Sequence, residues 1–219
     1  MAEDEPMDAN KTNELKERIS RKPIIIAISG PSGAGKDYLT QKAAEHFNSK
    51  HGIPVYNVQM ITERPHRGDG ETKICISPED YIKLQKNNEL IGDHVNKVRY
   101  GYRIKDIQEA IDKAIVNNGI VILELNPIEQ KNFPNEIRNL NLELTLWIGV
   151  ETTLEQTEQN MRERGESEET IIERLAQMRK FIEAMESNPN ITRCDNGPNN
   201  RDNAVADFIN IIETAILSS

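Results

Sequence analysis

The sequence predicts an α/β fold with a parallel sheet, and three observations carry that expectation. The apolar run Ile24-Ile25-Ile26-Ala27-Ile28-Ser29 leads directly into Gly30-Pro-Ser-Gly-Ala-Gly-Lys36-Asp37, a glycine-rich turn followed by helix-compatible residues. A second apolar run, Ile120 to Leu125, has the unbroken character of a strand buried on both faces. Strand-like and helix-like segments alternate along the chain, which is the pattern of βα units.

The elements follow in order. Residues 1 to 20 are expected to form an acidic, disordered extension, with a short leading helix over Asn13 to Ser20 that Pro23 ends. The first strand precedes the glycine-rich turn, and Lys36 to Phe47 then carries Leu39, Ala43, Ala44 and Phe47 at helical spacing. Ile53 to Ile61 reads as a second strand, and Thr62 to Gly70 is too rich in Gly, Pro and charge to be regular. Ser77-Pro78-Glu79-Asp80 is a helix start, with a capping serine, a first-position proline and acids in the first turn. That helix is expected to run to about Leu90. Ile104 to Asn117 is a further helix, closed by Asn118-Gly119 ahead of the Ile120 strand. Leu142 to Val150 is another strand. Helices over Thr152 to Arg164 and Thr170 to Glu186, a short strand near Ile191 and a last helix over Asn203 to Leu217 complete the alternation.

Bulk properties narrow the class. The chain of 219 residues suits one large domain, or a core with an inserted lobe. Its hydrophobic content is 37% and its aromatic content 5%, so the core must rest on Ile, Leu, Val and Ala. A net charge of −9 argues against a broad surface for a nucleic-acid polymer. Cys75 and Cys194 are the only cysteines, which leaves no disulfide framework and no zinc spacing. No apolar run approaches the ~20 residues of a membrane span, and the acidic start Met1-Ala2-Glu3-Asp4-Glu5 lacks the apolar stretch of a secretion signal. A cytoplasmic protein, monomeric or homodimeric and without a membrane partner, is the expectation.

Strand, glycine turn, lysine and helix together have the form of a phosphate-binding loop, which names a nucleoside triphosphate as the ligand class. The glycines let successive N–H groups turn inward around a phosphate, and the following helix adds its positive dipole end. Candidate triphosphate-binding residues are Gly30, Ser32, Gly33, Ala34, Gly35, Lys36 and Asp37. Lys36 supplies a point charge to the outer phosphates. Asp37 stands where such loops have Ser or Thr, whose hydroxyl normally meets magnesium. Its carboxylate either holds that ion or repels the triphosphate.

With these features in place, the chain resembles the guanylate-kinase-like family of P-loop nucleoside monophosphate kinases over roughly residues 23 to 217. The likeness rests on Ser29 to Lys36, Thr62-Glu-Arg-Pro-His-Arg-Gly68, Tyr100-Gly101 and Arg164-Gly-Glu-Ser-Glu-Glu-Thr-Ile-Ile-Glu-Arg174-Leu175. The resemblance implies a P-loop NTPase domain over residues 21–219, with an inserted acceptor-binding lobe at about 60–103 and a mobile helical lid at about 162–175. It implies ATP and Mg2+ as cofactors, and a small phosphorylated molecule as acceptor. Arg64, Arg67 and Tyr100 match the residues that grip the acceptor phosphate, and two guanidinium groups on one loop suit that task. Lys73 stands where the family has a phosphate-contacting tyrosine. Arg164 and Arg174, with Lys36, match the groups that stabilise the transferring phosphoryl group. The link between those two arginines is one residue shorter than the common form, which leaves Arg162 or Arg179 as substitutes for Arg174.

The base-reading positions depart from the family. The lobe glutamate that reads guanine falls near Gly92, with Asp93 beside it as a stand-in. The paired acids after the third strand become Glu124-Leu125-Asn126, of which Glu124 is also a candidate magnesium ligand beside Asp37. An amide in place of a carboxylate exchanges an acceptor for a donor and should alter base preference. Asn196 matches an asparagine that contacts adenine. Lys73, Lys97, Arg99 and Arg103 add positive charge to the lobe. Gly-Lys-Asp at the loop also resembles the ribose 1,5-bisphosphate phosphokinase branch, whose acceptor would use such charge. The leading expectation is therefore an ATP-dependent phosphotransferase, with GMP the family's default acceptor. A bisphosphate kinase and a non-catalytic protein-binding module of this family are the alternatives.

Overall fold

The computed structural model describes residues 9–31, 33–66, 73–96, 98–163 and 165–219, the side chain of Asn96 excepted. Ser32, Arg67, Lys97 and Arg164, each given a role above, lie outside the described residues.

The chain opens with helix α1, Ala9–Arg21, whose Thr12, Leu15 and Ile19 share one buried face. The expected disordered extension is thus helical from Ala9 onward. Only two large apolar side chains mark this helix in a polar stretch, which is why composition hid it. Strand β1, Ile24–Ser29, is buried throughout. Helix α2, Lys36–His51, outlasts its expected end at Phe47 by one turn and stops at Gly52, in left-handed backbone (φ 61°). The single strand expected over Ile53 to Ile61 is instead two short strands in different sheets, β2, Val55–Asn57, and β3, Ile61–Thr62. Apolar residues recur on both sides of Asn57 and Gln59, so composition carries no mark of where the chain changes sheet.

Strand β4, Ile74–Cys75, leads to helix α3, Pro78–Lys86, where Ser77 Oγ accepts from Asp80 N at 3.0 Å as its capping signature requires. This helix ends short of Leu90 because Asn88 adopts φ 55°, after which β5, Leu90–Asn96, and β6, Val98–Arg103, form an antiparallel hairpin. Helix α4, Ile104–Asn117, and strand β7, Ile120–Glu124, follow with the expected break at Asn118-Gly119 between them, where Asn118 adopts φ 49°. A short helix α5, Phe133–Arg138, was not expected, and strand β8 occupies Leu146–Glu151. Helices α6, Leu154–Glu163, and α7, Glu168–Glu186, flank the charged link; strand β9, Ile191–Asp195, and helix α8, Ala204–Leu217, close the chain.

The core sheet has the order β2-β7-β1-β8-β9 and is parallel at every pairing. Its faces separate by the strand's period of two. Ile24, Ile26 and Ile28 pack with α1, α2 and α8, whereas Ile25 and Ala27 face the cluster containing Ile107, Phe133 and Trp147. A second sheet, β4-β3-β6-β5, forms the inserted lobe. Tyr102 joins the two sheets: its hydroxyl donates to Glu124 O at 2.6 Å and accepts from Glu124 N at 2.8 Å. The C-terminal ends of β1 and β7 therefore open toward the lobe, the edge where open parallel sheets bind ligands. Among the described residues no helix is long and apolar enough to cross a membrane.

Candidate active site

The glycine-rich turn leaves β1 at Ser29, whose hydroxyl donates to Leu125 O (2.6 Å) and accepts from Trp147 Nε1 (2.7 Å). These bonds fix the end of the central strand against both of its neighbours. Gly33 and Gly35 then adopt φ 85° and 83°, and α2 begins at Lys36 with Ala34 buried behind the turn. Two amides hold the turn from outside. Asn160 Nδ2, on α6, donates to Gly33 O at 2.9 Å, and Asn196 Nδ2, after β9, donates to Ala34 O at 2.7 Å. In a planar trans peptide the N–H points opposite to the C=O, so each outward carbonyl turns the next amide away from these contacts.

Asn196 thus grips the loop itself, and a Cβ on Gly35 would run into its amide. Asn160 was not anticipated; nothing in its helical surroundings marks it in sequence. Replacing Asn196 with alanine removes one bond to the loop, and about a 5–10-fold rise in KM for the nucleotide is expected, with little change in melting temperature. Initial rates against nucleotide concentration check this.

Lys36 Nζ donates to Gly30 O at 2.7 Å and Pro31 O at 3.3 Å, and lies 3.3 Å from Glu124 Oε1. The other carboxylate oxygen, Oε2, is 3.0 Å from Lys73 Nζ. One carboxylate at the end of β7 therefore holds the loop lysine and a lobe lysine together. Burial pushes the Glu124 carboxyl upward, but the two ammonium groups outweigh it and bring its pKa down to about 2. Glu124 is ionised at neutral pH and both its oxygens are engaged. Asp37 is exposed in the first turn of α2. Its carboxylate next to the loop fits a magnesium ion, which takes one or two carboxylates with phosphate and water oxygens. Glu124 suits that ion less directly, since its oxygens face lysines.

In the lobe, Thr62 lies opposite Tyr100 in the β3–β6 pairing. Thr62 Oγ1 donates to Arg99 O at 3.0 Å and accepts from Arg64 N at 3.4 Å. Arg64 is buried two residues beyond, with Nη1 donating to Pro65 O at 3.2 Å. The half-buried Tyr100 ring stacks on His94, centroids 5.4 Å apart. The structure thus places Arg64 two residues past the end of β3, beside the strand that carries Tyr100. The additional lobe cations are matched locally: Arg99 pairs with Glu63, and Arg103 with Asp106 at 2.5 Å.

The base-reading candidates are organised differently from a simple exchange of side chains. Gly92 sits at φ 62°, and a Cβ there would lie 2.8 Å from both Gln130 Nε2 and Phe133. Its N–H donates to Glu136 Oε2 and its C=O accepts from Gln130 Nε2. Asp93 accepts from the buried Tyr81 hydroxyl at 2.5 Å and from Gln85 Nε2 at 2.6 Å. Asn126 Oδ1 accepts from Ile128 N (3.0 Å) and Glu129 N (3.3 Å), which makes that side chain the cap of a turn. Substituting Gly92 with alanine is expected to cost about 2–4 kcal/mol, from left-handed backbone strain plus overpacking against Phe133. Chemical denaturation tests this; a loss below about 0.5 kcal/mol, the range of neutral surface changes, would contradict it.

At the link between α6 and α7, Arg174 Nη1 pairs with Glu166 Oε1 at 2.7 Å, and Ser167 caps α7 by accepting from Thr170 N. Arg162 pairs with Glu158 and Glu168, so it is held on the helix surface by two acids. Arg174 is the more shielded of the two arginines, at 23% against 47% side-chain exposure.

Comparison with known proteins agrees with this geometry. The chain is similar to a guanylate kinase of Streptococcus thermophilus, 27% identical over 172 residues, spanning 76% of this chain and 77% of that protein. It is similar to a uridine kinase of Chlamydia pneumoniae, 29% identical over 184 residues, spanning 73% and 76%. The crystal structure of guanylate kinase from Anaplasma phagocytophilum shares the fold, with a TM-score of 0.60 at 15% identity over 88% of this chain and 86% of that one. The guanylate kinase family model matches residues 20–209. The phosphate loop, the second sheet and helices α6 and α7 thus lie within one matched region, and the chain belongs to the guanylate kinase family, as a guanylate-kinase-like nucleotide kinase.

Proposed function

We propose that the protein transfers the γ-phosphoryl group of ATP to the phosphate of a nucleoside monophosphate, with GMP the first candidate. The observation that carries this reading is Glu124 holding Lys36 and Lys73 at 3.3 and 3.0 Å. A lysine of the donor loop and a lysine of the acceptor lobe meet at one carboxylate, which is where two phosphates must approach for in-line transfer. Lys36 aligns the outer phosphates of the donor. Arg64, Tyr100 and Lys73 fix the acceptor phosphate, together with Arg67. Arg174 and Arg164, from the lid, supply positive charge to the transferring group. Asp37 would hold magnesium, which when bound neutralises charge on the phosphate oxygens.

The observed ion pairs favour one acceptor phosphate over two. Arg99 and Arg103 each face their own acid, so the lobe carries less spare charge for a bisphosphate than its lysine and arginine count suggests. Engagement of Asp93 and Asn126 by neighbouring groups favours a base-reading set that differs from the family's usual carboxylates.

The test is ADP formation with ATP and magnesium across GMP, dGMP, AMP, CMP, UMP, dTMP and ribose 1,5-bisphosphate. Turnover with GMP well above the others supports the proposal in full. Preference for another monophosphate keeps the reaction and changes the base. Turnover confined to the bisphosphate overturns the acceptor class. Silence throughout, with no thermal stabilisation by millimolar ATP and magnesium, overturns the enzyme reading in favour of a binding module.

A further inference from the structure

The C-terminal end of α2 holds a polar cluster that phosphoryl transfer does not use. No common spacing relates the four histidines in sequence, yet His46 and His51 of α2 converge on Glu213 of α8. Glu213 Oε1 lies 3.3 Å from His46 Nε2 and 3.3 Å from His51 Nε2, and the three atoms lie within 4.8 Å of one another. Ligands about 2.0–2.1 Å from a tetrahedral zinc ion are about 3.3–3.4 Å apart. Two edges of the cluster already have that length. The third closes by a small rotation of His46, whose side chain is 22% exposed.

The surroundings match what such a site needs. His51 is buried, and its Nδ1 is 2.7 Å from Thr12 Oγ1 on α1. A hydrogen bond at the remote ring nitrogen is how ligating histidines are oriented, with the lone pair left on Nε2. That Nε2 is buried and not aligned for a hydrogen bond with Glu213, nor does it make one with another described group. Lys11 Nζ takes the other carboxylate oxygen, Oε2, at 2.5 Å, so Oε1 is the oxygen left facing both rings.

We propose that His46, His51 and Glu213 form a structural transition-metal site, with zinc the best match and water as fourth ligand. Two imidazole nitrogens with one carboxylate suit zinc, cobalt or nickel, and not magnesium, which takes oxygen ligands. Binding would replace the bond between His46 Nε2 and Glu213 and tie α2 to α8 beneath α1. The site is separate from the phosphate loop: the rise of α2 from Lys36 to His51 is about 22 Å.

The experiment uses the full chain, freed of any histidine tag and stripped with chelator. Zinc is titrated in competition with a chromophoric chelator, and cobalt is added separately while visible absorption is recorded. One equivalent of zinc, a tetrahedral cobalt spectrum and a rise in melting temperature of about 5–10 °C at a hundredfold excess over Kd are expected. His46→Ala should weaken binding about a hundredfold or more and abolish the rise; being partly exposed, this position tolerates truncation even if His51→Ala fails to fold. Substoichiometric uptake by the folded wild-type chain, or unchanged zinc affinity in His46→Ala, would overturn the proposal.

Discussion

Lys36→Ala is expected to lower turnover by about 10²–10³-fold, the effect of removing one preorganised charge from a phosphoryl-transfer site. The Lys36 ammonium bridges the loop carbonyls of Gly30 and Pro31 to Glu124, so it determines both the charge at the donor phosphates and the separation between loop and β7. Its aliphatic stem also packs on the loop, since a Cβ on Gly30 would lie 3.2 Å from Lys36 Cγ and Cδ. Lys36→Met keeps that stem and removes only the charge. Both variants should melt close to wild type, because the core beneath the loop is formed by Ile24, Ile26, Ile28 and Leu39. Steady-state rates and thermal melts measured together check this. Turnover within a few-fold of wild type in Lys36→Met would remove the loop lysine from the reaction.

Glu124→Gln addresses the other half of the same contact. The amide matches the carboxylate in size but leaves the Lys36 and Lys73 ammonium groups facing a neutral group. A fall in kcat/KM of about 10–100-fold is expected under the proposed reaction, because the Lys36 and Lys73 ammonium groups are no longer held together. The stability loss at neutral pH should be modest, about 1 kcal/mol, since the Glu124 side chain is 40% exposed and solvent screens the pair. Its pH dependence is distinctive. The folded pKa of Glu124, about 2, lies below that of an unfolded glutamate, so its contribution is complete above the unfolded value. That contribution is lost as pH falls through the folded value. The gap in melting temperature between wild type and Glu124→Gln should be constant near neutrality and narrow between about pH 5 and pH 2. A gap that does not narrow on acidification would exclude ionised Glu124 as its source.

Local chemistry made much of the core legible in sequence. The β1 run, the glycines and Lys36 lie within a few residues of one another, so strand, turn and helix are specified by neighbours. The cap of α3 by Ser77 and the break at Asn118 were equally readable, because each depends on one or two residues. The lobe hairpin was not. Gly92, Tyr100 and Tyr102 alternate no more strongly than a loop would, and their strands are held by pairing across the hairpin and to β3. The first turn of helix α1, before Asn13, is not legible in sequence because the helix's few apolar residues find their partners on α8, at the far end of the chain.

The sequence by itself determined the phosphate loop, the α/β alternation and the basic segments that suit phosphate chemistry, since these are properties of contiguous residues. Only the tertiary structure decided which charges meet. It put Glu124 between Lys36 and Lys73, gave Arg99 and Arg103 their own acids, turned Asn196 onto the loop, and brought His46 and His51 to Glu213. All of these contacts except the Arg103–Asp106 pair join residues far apart in the chain. Coulomb and hydrogen-bond energies depend on distance in space, which folding sets and sequence spacing does not record.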